Sequence, residues 1–242
     1  MPLLGFGTWQ LRGHEAEQAT GHALTAGYRH IDTATMYGNE AEVGRALATS
    51  GLPRESVFLT TKLPPDRVGA ERAVLTQSLA QLGVDQLDLW LIHWPPSDSA
   101  AMWREFLTAR EEGLVKDVGV SNFSLLQLDD LAAATGVMPA VNQIPWSPLQ
   151  FDRDLLAGHR DRGVVLEGYS GLRNGAIDHP VIARVAAELE RTPAQVIIRW
   201  HLQHGVVVIP KSAVPERITA NGDVGGFELH EEQMALLDGL GR

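Results

Sequence analysis

Four side chains able to do acid–base chemistry stand where short apolar runs end. Asp32 lies in "HIDTA", Tyr37 follows five residues later, Lys62 closes "VFLTTKL" and His93 ends "LDLWLIH". The chain has 17 arginines and only three lysines, so an ammonium at the end of a buried run asks for a reason. Unpaired, it would lose its proton or destabilise the fold, and Asp32 is its natural partner. A phenol has a reference pKa of about 10, and a cation beside Tyr37 would pull that value down, each unit being worth about 1.36 kcal/mol in favour of the phenolate. A neutral His93 could donate a hydrogen bond to a substrate oxygen and orient it. Together the four describe a site that polarises a carbonyl oxygen and hands it a proton. Each also has a plainer account. Asp32 and Lys62 alone fit a structural ion pair as well as catalysis, His93 fits an interior hydrogen-bonded histidine, and Tyr37 a loop aromatic. Taken together, the plain accounts require several unrelated coincidences.

The other run ends are polar too. Ser121 and Asn122, Asn142 and Gln143, Tyr169 and Ser170, and Lys211 and Ser212 follow the later apolar segments. In "IPKSAVPERITAN", Lys211, Ser212 and Arg217 surround the start of a short helix opening near Val214-Pro215. Free N–H groups at a helix start favour an anion, although a solvated basic turn would look the same. Lys116 in "EGLVKDV" reads as an ordinary turn residue. His201 and His204 in "RWHLQHG" have no third ligand nearby, so they read as helix surface or packing, and no metal site is expected.

Those residues need elements to position them. Apolar segments begin at residues 3, 30, 57, 87, 115, 140, 164 and 206. Between them, stretches such as "EAEQATGHALTAG" and "AERAVLTQSLAQLG" return apolar residues every three or four positions and stop at glycine. The first seven segments start 24 to 30 residues apart, and the last gap of 42 holds two helical patterns, 179–191 and 193–204. Strand and helix alternating eight times predict an α/β chain folded as a closed (β/α)₈ TIM barrel, spanning 1–242 as one domain. "GFGTWQ" does not complete the glycine fingerprint of a doubly wound dinucleotide fold. Barrels gather chemistry at the C-terminal strand ends. With strands about 4.8 Å apart, Asp32, Tyr37, Lys62 and His93 fall within roughly 10 Å of one another. The basic cluster falls after the eighth strand, where barrels often hold phosphate.

A formal charge of −10 argues against nucleic acid or an acidic membrane surface as partner, because such a field repels polyanions. Cysteine is absent, which removes disulfide and thiol chemistry and suits a reducing cytoplasm. "MPLLGFGTWQ" lacks a charged leader, and no apolar run reaches bilayer length. The expectation is a soluble cytoplasmic monomer acting on a small molecule.

The stretches "GFGTWQ", "GYRHIDTATMYGNEAEVGRAL", "VFLTTKL", "LDLWLIHWP", "GLVKDVGVSNF", "PAVNQI", "TPAQVIIRWHLQHGVVVIPKS" and "PERITAN" resemble the aldo-keto reductase superfamily, in particular the bacterial branch that includes the 2,5-diketo-D-gluconate reductases. They run in family order along nearly the whole chain. The resemblance implies an NADP(H)-dependent carbonyl reductase with Asp32, Tyr37, Lys62 and His93 as catalytic tetrad, Tyr37 acting as general acid. By the same resemblance Ser121, Asn122 and Gln143 hold the nicotinamide carboxamide of NADPH/NADP+ and Tyr169 stacks on its ring. Lys211, Ser212 and Arg217 would grip the adenosine 2′-phosphate, and Asn221 the adenine. Relatives usually carry an N-terminal β-hairpin under the barrel and a long C-terminal tail, and both are expected to be missing here. Pro64 and Pro65 replace a frequent tryptophan, Ala220 stands where an acidic adenine contact is frequent, and the loops after His93 and Tyr169 are short. An open pocket of broad selectivity between Trp9 and Trp94 is therefore expected. Two rivals keep the barrel: a Schiff-base lyase of aldolase type using Lys62 as nucleophile, and a non-catalytic NADPH-sensing subunit.

Overall fold

In the computed structural model, which describes residues 1–241, the eight apolar segments become strands β1 (Phe6–Gly7), β2 (His30–Asp32), β3 (Phe58–Leu63), β4 (Leu87–Ile92), β5 (Val115–Ser121), β6 (Val141–Pro145), β7 (Val165–Tyr169) and β8 (Val207–Val208). Every neighbour pairs in parallel and in chain order. The sheet closes where Leu4 bridges Val208: the N–H of Gly5 donates to the carbonyl of Val208 at 2.9 Å, and that of Gly7 to Pro210 at 3.1 Å. This is the (β/α)₈ barrel.

Helices α1 (Gly13–Thr25), α2 (Glu40–Thr49), α3 (Glu71–Leu82), α4 (Ser99–Glu111), α5 (Leu125–Thr135) and α6 (Arg153–Asp161) return the chain between successive strands. Two helices, α7 (Pro180–Glu188) and α8 (Pro193–Gln203), fill the long gap before β8, and α9 (Pro215–Gly222) and α10 (Glu231–Asp238) follow it. Their ends follow local chemistry. Ser124 with Gln127 and Thr192 with Gln195 make reciprocal capping boxes at α5 and α8, and proline occupies the first turn of α7, α8 and α9. α7 stops short of the expected 191, since Glu190 turns left-handed at φ 53°.

Successive strand residues face opposite ways, and this alternation sorts the core. Trp90 of β4 points outward to stack on Phe106 of α4, ring centroids 3.6 Å apart, whereas Leu89, Leu91 and Val141 pack together in a separate cluster inside the barrel. A further cluster around Trp146, Phe151 and Trp200 seats α6, α8 and α10. Two sequence expectations change in this frame, Asn142 and Lys116, and of the two readings of His201, surface or packing, the structure takes packing. Asn142 faces away from the barrel mouth: its amide donates to the carbonyl of Phe123 at 2.8 Å and lies 2.9 Å from His159 of α6. Lys116 is no turn residue; it sits on β5 and pairs with Asp88 at 2.7 Å. His201 is wholly buried, its ring nitrogens 2.7 Å from the Ile197 carbonyl and 3.1 Å from that of Trp146. Among the described residues no three His, Cys, Asp or Glu side chains converge on one point, and no helix is long and apolar enough to cross a membrane.

Where α2 crosses α3, Gly44 lets two backbones touch. A Cβ there would lie 2.6 Å from the carbonyl oxygen of Gln81 and 2.7 Å from that of Leu82, atoms that cannot rotate away. Gly44→Ala gains about 1 kcal/mol of helix propensity but overpacks the crossing at a cost of about 1–3 kcal/mol. A net fall in melting temperature is expected by calorimetry, and an unchanged or raised value would contradict the close approach.

Candidate active site

Lys62 and Asp32 are both buried, the lysine completely. The ammonium donates to Asp32 Oδ1 at 2.5 Å and to the carbonyl of Thr33 at 2.9 Å, while the Gln143 amide donates to Asp32 Oδ2 at 2.9 Å. Both carboxylate oxygens therefore have a partner, as a buried charge requires. Lys62 Nζ lies 5.2 Å from the centre of the Tyr37 ring, and that ring meets His93 edge to face with centroids 5.7 Å apart. The four residues first picked out by type and position stand together.

Tyr37 is set by a single helical turn, Thr35–Tyr37, that Gly38 ends in the left-handed region. Thr35 ties the turn to β3 by donating its hydroxyl to the Lys62 carbonyl at 2.8 Å. Behind it, buried Asn39 donates to the carbonyls of Thr8 at 2.9 Å and Leu11 at 3.1 Å and accepts from Thr33 at 2.8 Å, stitching the loops after β1 and β2. Thr33, Thr35 and Asn39 were not singled out by sequence. Their signal, small hydroxyl and amide residues around "DTATMYGN", is what any turn would show.

Electrostatics divide the group. Burial works against the charge on Lys62, yet the Asp32 carboxylate, with Tyr37 and Glu167 adding to it, holds the ammonium above the usual lysine value. Burial and then the Lys62 charge push His93 down to about 3, so its imidazole is neutral, with Nδ1 buried and unpartnered among the described residues. For Tyr37 the sequence expectation is corrected. Burial raises its pKa, and Lys62, by charge and hydrogen bond, pulls it back only in part, so the hydroxyl ends above its ordinary value. A phenolate loses water on burial, and one cation already shared with Asp32 does not make up the loss.

The polar ends of β5 to β7 join the same network. Ser121 donates to the Gln143 carbonyl at 2.8 Å, and the Asn122 amide donates to Ser121 Oγ at 2.9 Å and to the His93 carbonyl at 3.0 Å. Tyr169 donates its hydroxyl to Asn122 Oδ1 at 2.8 Å, and Asn122 takes the left-handed φ of 65° that aims its side chain back. Gln143 thus joins two groups: its backbone carbonyl ends the run from Tyr169 through Asn122 and Ser121, and its side-chain amide reaches Asp32, the partner of Lys62. Trp9 and Trp94 are 43% and 45% exposed, and the Arg173 guanidinium lies 4.7 Å over the Trp9 ring. Lys211, Ser212, Arg217 and Asn221 form a separate group at α9. Ser212 Oγ accepts from the Val214 N–H at 3.0 Å, Asn221 is buried, and Lys211 and Arg217 are exposed.

The sequence pattern of the Aldo/keto reductase family matches residues 3–242. An aldo-keto reductase of Mycolicibacterium vanbaalenii is 48% identical over 99% of this chain and 88% of its own. Methylglyoxal reductase DkgA of Yersinia pestis is 41% identical over 99% of this chain and 89% of its own. The crystal structure of an aldo/keto reductase from Brucella melitensis superposes with a TM-score of 0.95 at 41% identity, over 99% of this chain and 95% of that one. Sequence pattern, relatives and barrel agree, and the chain belongs to the aldo/keto reductase family.

Proposed function

We propose that this protein reduces aldehydes and ketones to alcohols with NADPH, Tyr37 delivering the proton. The reading is carried by the buried Asp32–Lys62 pair beside the ring of Tyr37. There the fixed Lys62 cation, by charge and hydrogen bond, opposes the cost of making a phenolate of Tyr37. Neutral His93 orients the carbonyl oxygen by hydrogen bond and withholds its own proton. Trp9 and Trp94 wall the mouth, and the family relative named for methylglyoxal suggests small dicarbonyls as substrates. The residues also fit the dinucleotide. Lys211 and Arg217 make no side-chain hydrogen bond or ion pair among the described residues and flank the first turn of α9, where unpaired N–H groups favour phosphate. Ser121, Asn122, Gln143 and Tyr169 offer the amides and ring for a nicotinamide. When bound, NADPH would supply the hydride. The enzyme is read as a cytoplasmic monomer.

The Schiff-base rival fares worse, because an amine must lose its charge to attack a carbonyl, and Asp32 holds the Lys62 ammonium charged. The NADPH-sensing rival shares the binding residues and differs only in turnover. Purified protein given NADPH with methylglyoxal and simple aldehydes is expected to consume nicotinamide absorbance; no consumption above an enzyme-free control overturns the reading. Arg217→Ala and Lys211→Ala are each expected to raise the KM for NADPH about tenfold or more, the worth of one charge-assisted hydrogen bond, with the NADH rate unmoved. Equal effects on both cofactors would remove the 2′-phosphate assignment.

A further inference from the structure

Beneath the catalytic group lies a second polar layer that the mechanism above does not use. Side chains two apart on a strand share a face. Glu167 is two residues before Tyr169, His30 two before Asp32, and Thr60 two before Lys62. All three point inward, and Glu167, His30 and Thr60 are fully buried. His30 Nε2 lies 3.1 Å from Thr60 Oγ1 and 3.9 Å from Glu167 Oε1. Gly5 makes the room: a Cβ there would sit 2.7 Å from His30 Nδ1. Neither oxygen of Glu167 has a hydrogen-bond partner among the described residues, nor does His30 Nδ1. Gln143 stands opposite Glu167 in the β6–β7 register but gives its amide to Asp32. "VVLEGYS" gave the same signal as Lys62, a charged residue inside an apolar run, and sequence reading passed over it.

A carboxylate with no donor inside a barrel is costly, so its state matters to its neighbours. We propose that Glu167 is a positioning residue that stays uncharged during reduction and thereby sets how readily Tyr37, above it, can become a phenolate. The proposal rests on the reading of Tyr37 as proton donor. The groups facing Glu167 are His30 and Asp32 of β2, Lys62 of β3 and, beyond Lys62, Tyr37. Burial first and the Asp32 charge second push the carboxyl up to about 8, with Lys62 and then the nearby Gln143 amide opposing. Burial holds His30 down at about 4, so no imidazolium stands by to pair with it. At neutral pH the layer is a carboxylic acid beside a neutral imidazole. Once Glu167 loses its proton, a second negative charge joins Asp32 near Tyr37 and competes for Lys62; the carboxylate raises the Tyr37 pKa. Forming the phenolate becomes harder, and reduction slows as pH rises through the Glu167 range.

The test is the pH profile of kcat/KM for aldehyde reduction in wild type and Glu167→Gln, a nearly isosteric side chain that stays neutral. Wild type is expected to lose activity with a midpoint near 8. Glu167→Gln should keep the neutral-pH rate within a few-fold and move the alkaline fall upward by a pH unit or more, a tenfold advantage on the alkaline side. A purely structural glutamate would change the melting temperature and leave that limb in place, so an unmoved limb in a folded, active variant overturns the proposal. Should Glu167→Gln not fold, infrared titration of the wild type decides: a buried protonated carboxyl band at neutral pH that vanishes with alkali supports the proposal, and its absence sinks it. A Tyr37→Phe enzyme that still reduces aldehydes would instead sink the underlying reading.

Discussion

Replacing Tyr37 with phenylalanine is expected to lower carbonyl reduction by about 10²–10⁴-fold, the usual worth of a positioned general acid, while NADPH affinity measured by fluorescence stays within error. Phenylalanine keeps the ring that meets His93 at 5.7 Å and removes only the hydroxyl, so a large loss would report proton donation and not collapse of the pocket. No neighbour can stand in. His93 is held down to about 3, leaving a neutral imidazole whose remaining proton is far too weakly acidic to give away. Lys62 has its ammonium directed at Asp32 and the Thr33 carbonyl, and surrendering a proton would leave Asp32 unpaired. Since Tyr37 sits above its ordinary pKa, the hydroxyl stays protonated through neutral pH. The wild-type reduction rate should therefore be flat on the acid side of neutrality. A variant keeping more than a tenth of the wild-type kcat would show that the proton comes from elsewhere.

Much of this site could be read before any coordinates, and the reasons are particular. Lys62 stood out because lysine is rare in the chain and because it closes an apolar strand. Once the barrel was inferred, neighbouring strand ends brought Asp32, Tyr37 and His93 to it. Glu167, also a charged residue within an apolar strand but one layer lower on β7, was missed, since one more acid among 30 acidic residues draws no notice. Asn142 and Gln143 were placed together although the two-residue period of a strand must send them to opposite faces, and only Gln143 reaches Asp32. Lys116 was assigned to the turn of "EGL" although it already lay inside the apolar segment that begins at 115, which is β5. The direction of the Tyr37 shift was out of reach for a different reason: a nearby charge can be guessed from strand order, but burial depends on how the Thr35–Tyr37 turn packs against β3, which is a tertiary fact. The same limit applies to closure of the barrel, which rests on Leu4 and Val208, more than two hundred positions apart in the chain.

Lys62→Met should be the most destabilising single change at the site. It removes the partner of Asp32 Oδ1 and the donor to the Thr33 carbonyl in a position with no exposure to water, leaving a buried carboxylate half-satisfied by Gln143 alone. Breaking one side of such a pair costs about 3–5 kcal/mol, and at about 2–4 °C per kcal/mol for a chain of this size the melting temperature should fall by about 6–20 °C. The double variant Asp32→Asn, Lys62→Met removes the stranded charge as well. Its stability should return most of the way, because exchanging a buried ion pair for neutral groups of similar volume is often close to neutral. Activity should not return with it. Without the Lys62 cation nothing opposes the burial that raises Tyr37, and the phenolate that proton donation must leave behind has no counter-charge. A folded, cooperative double variant without reductase activity would assign the ammonium to catalysis. A single variant as stable as wild type would mean that water reaches Asp32, and the electrostatic account of the tyrosine would fall with it.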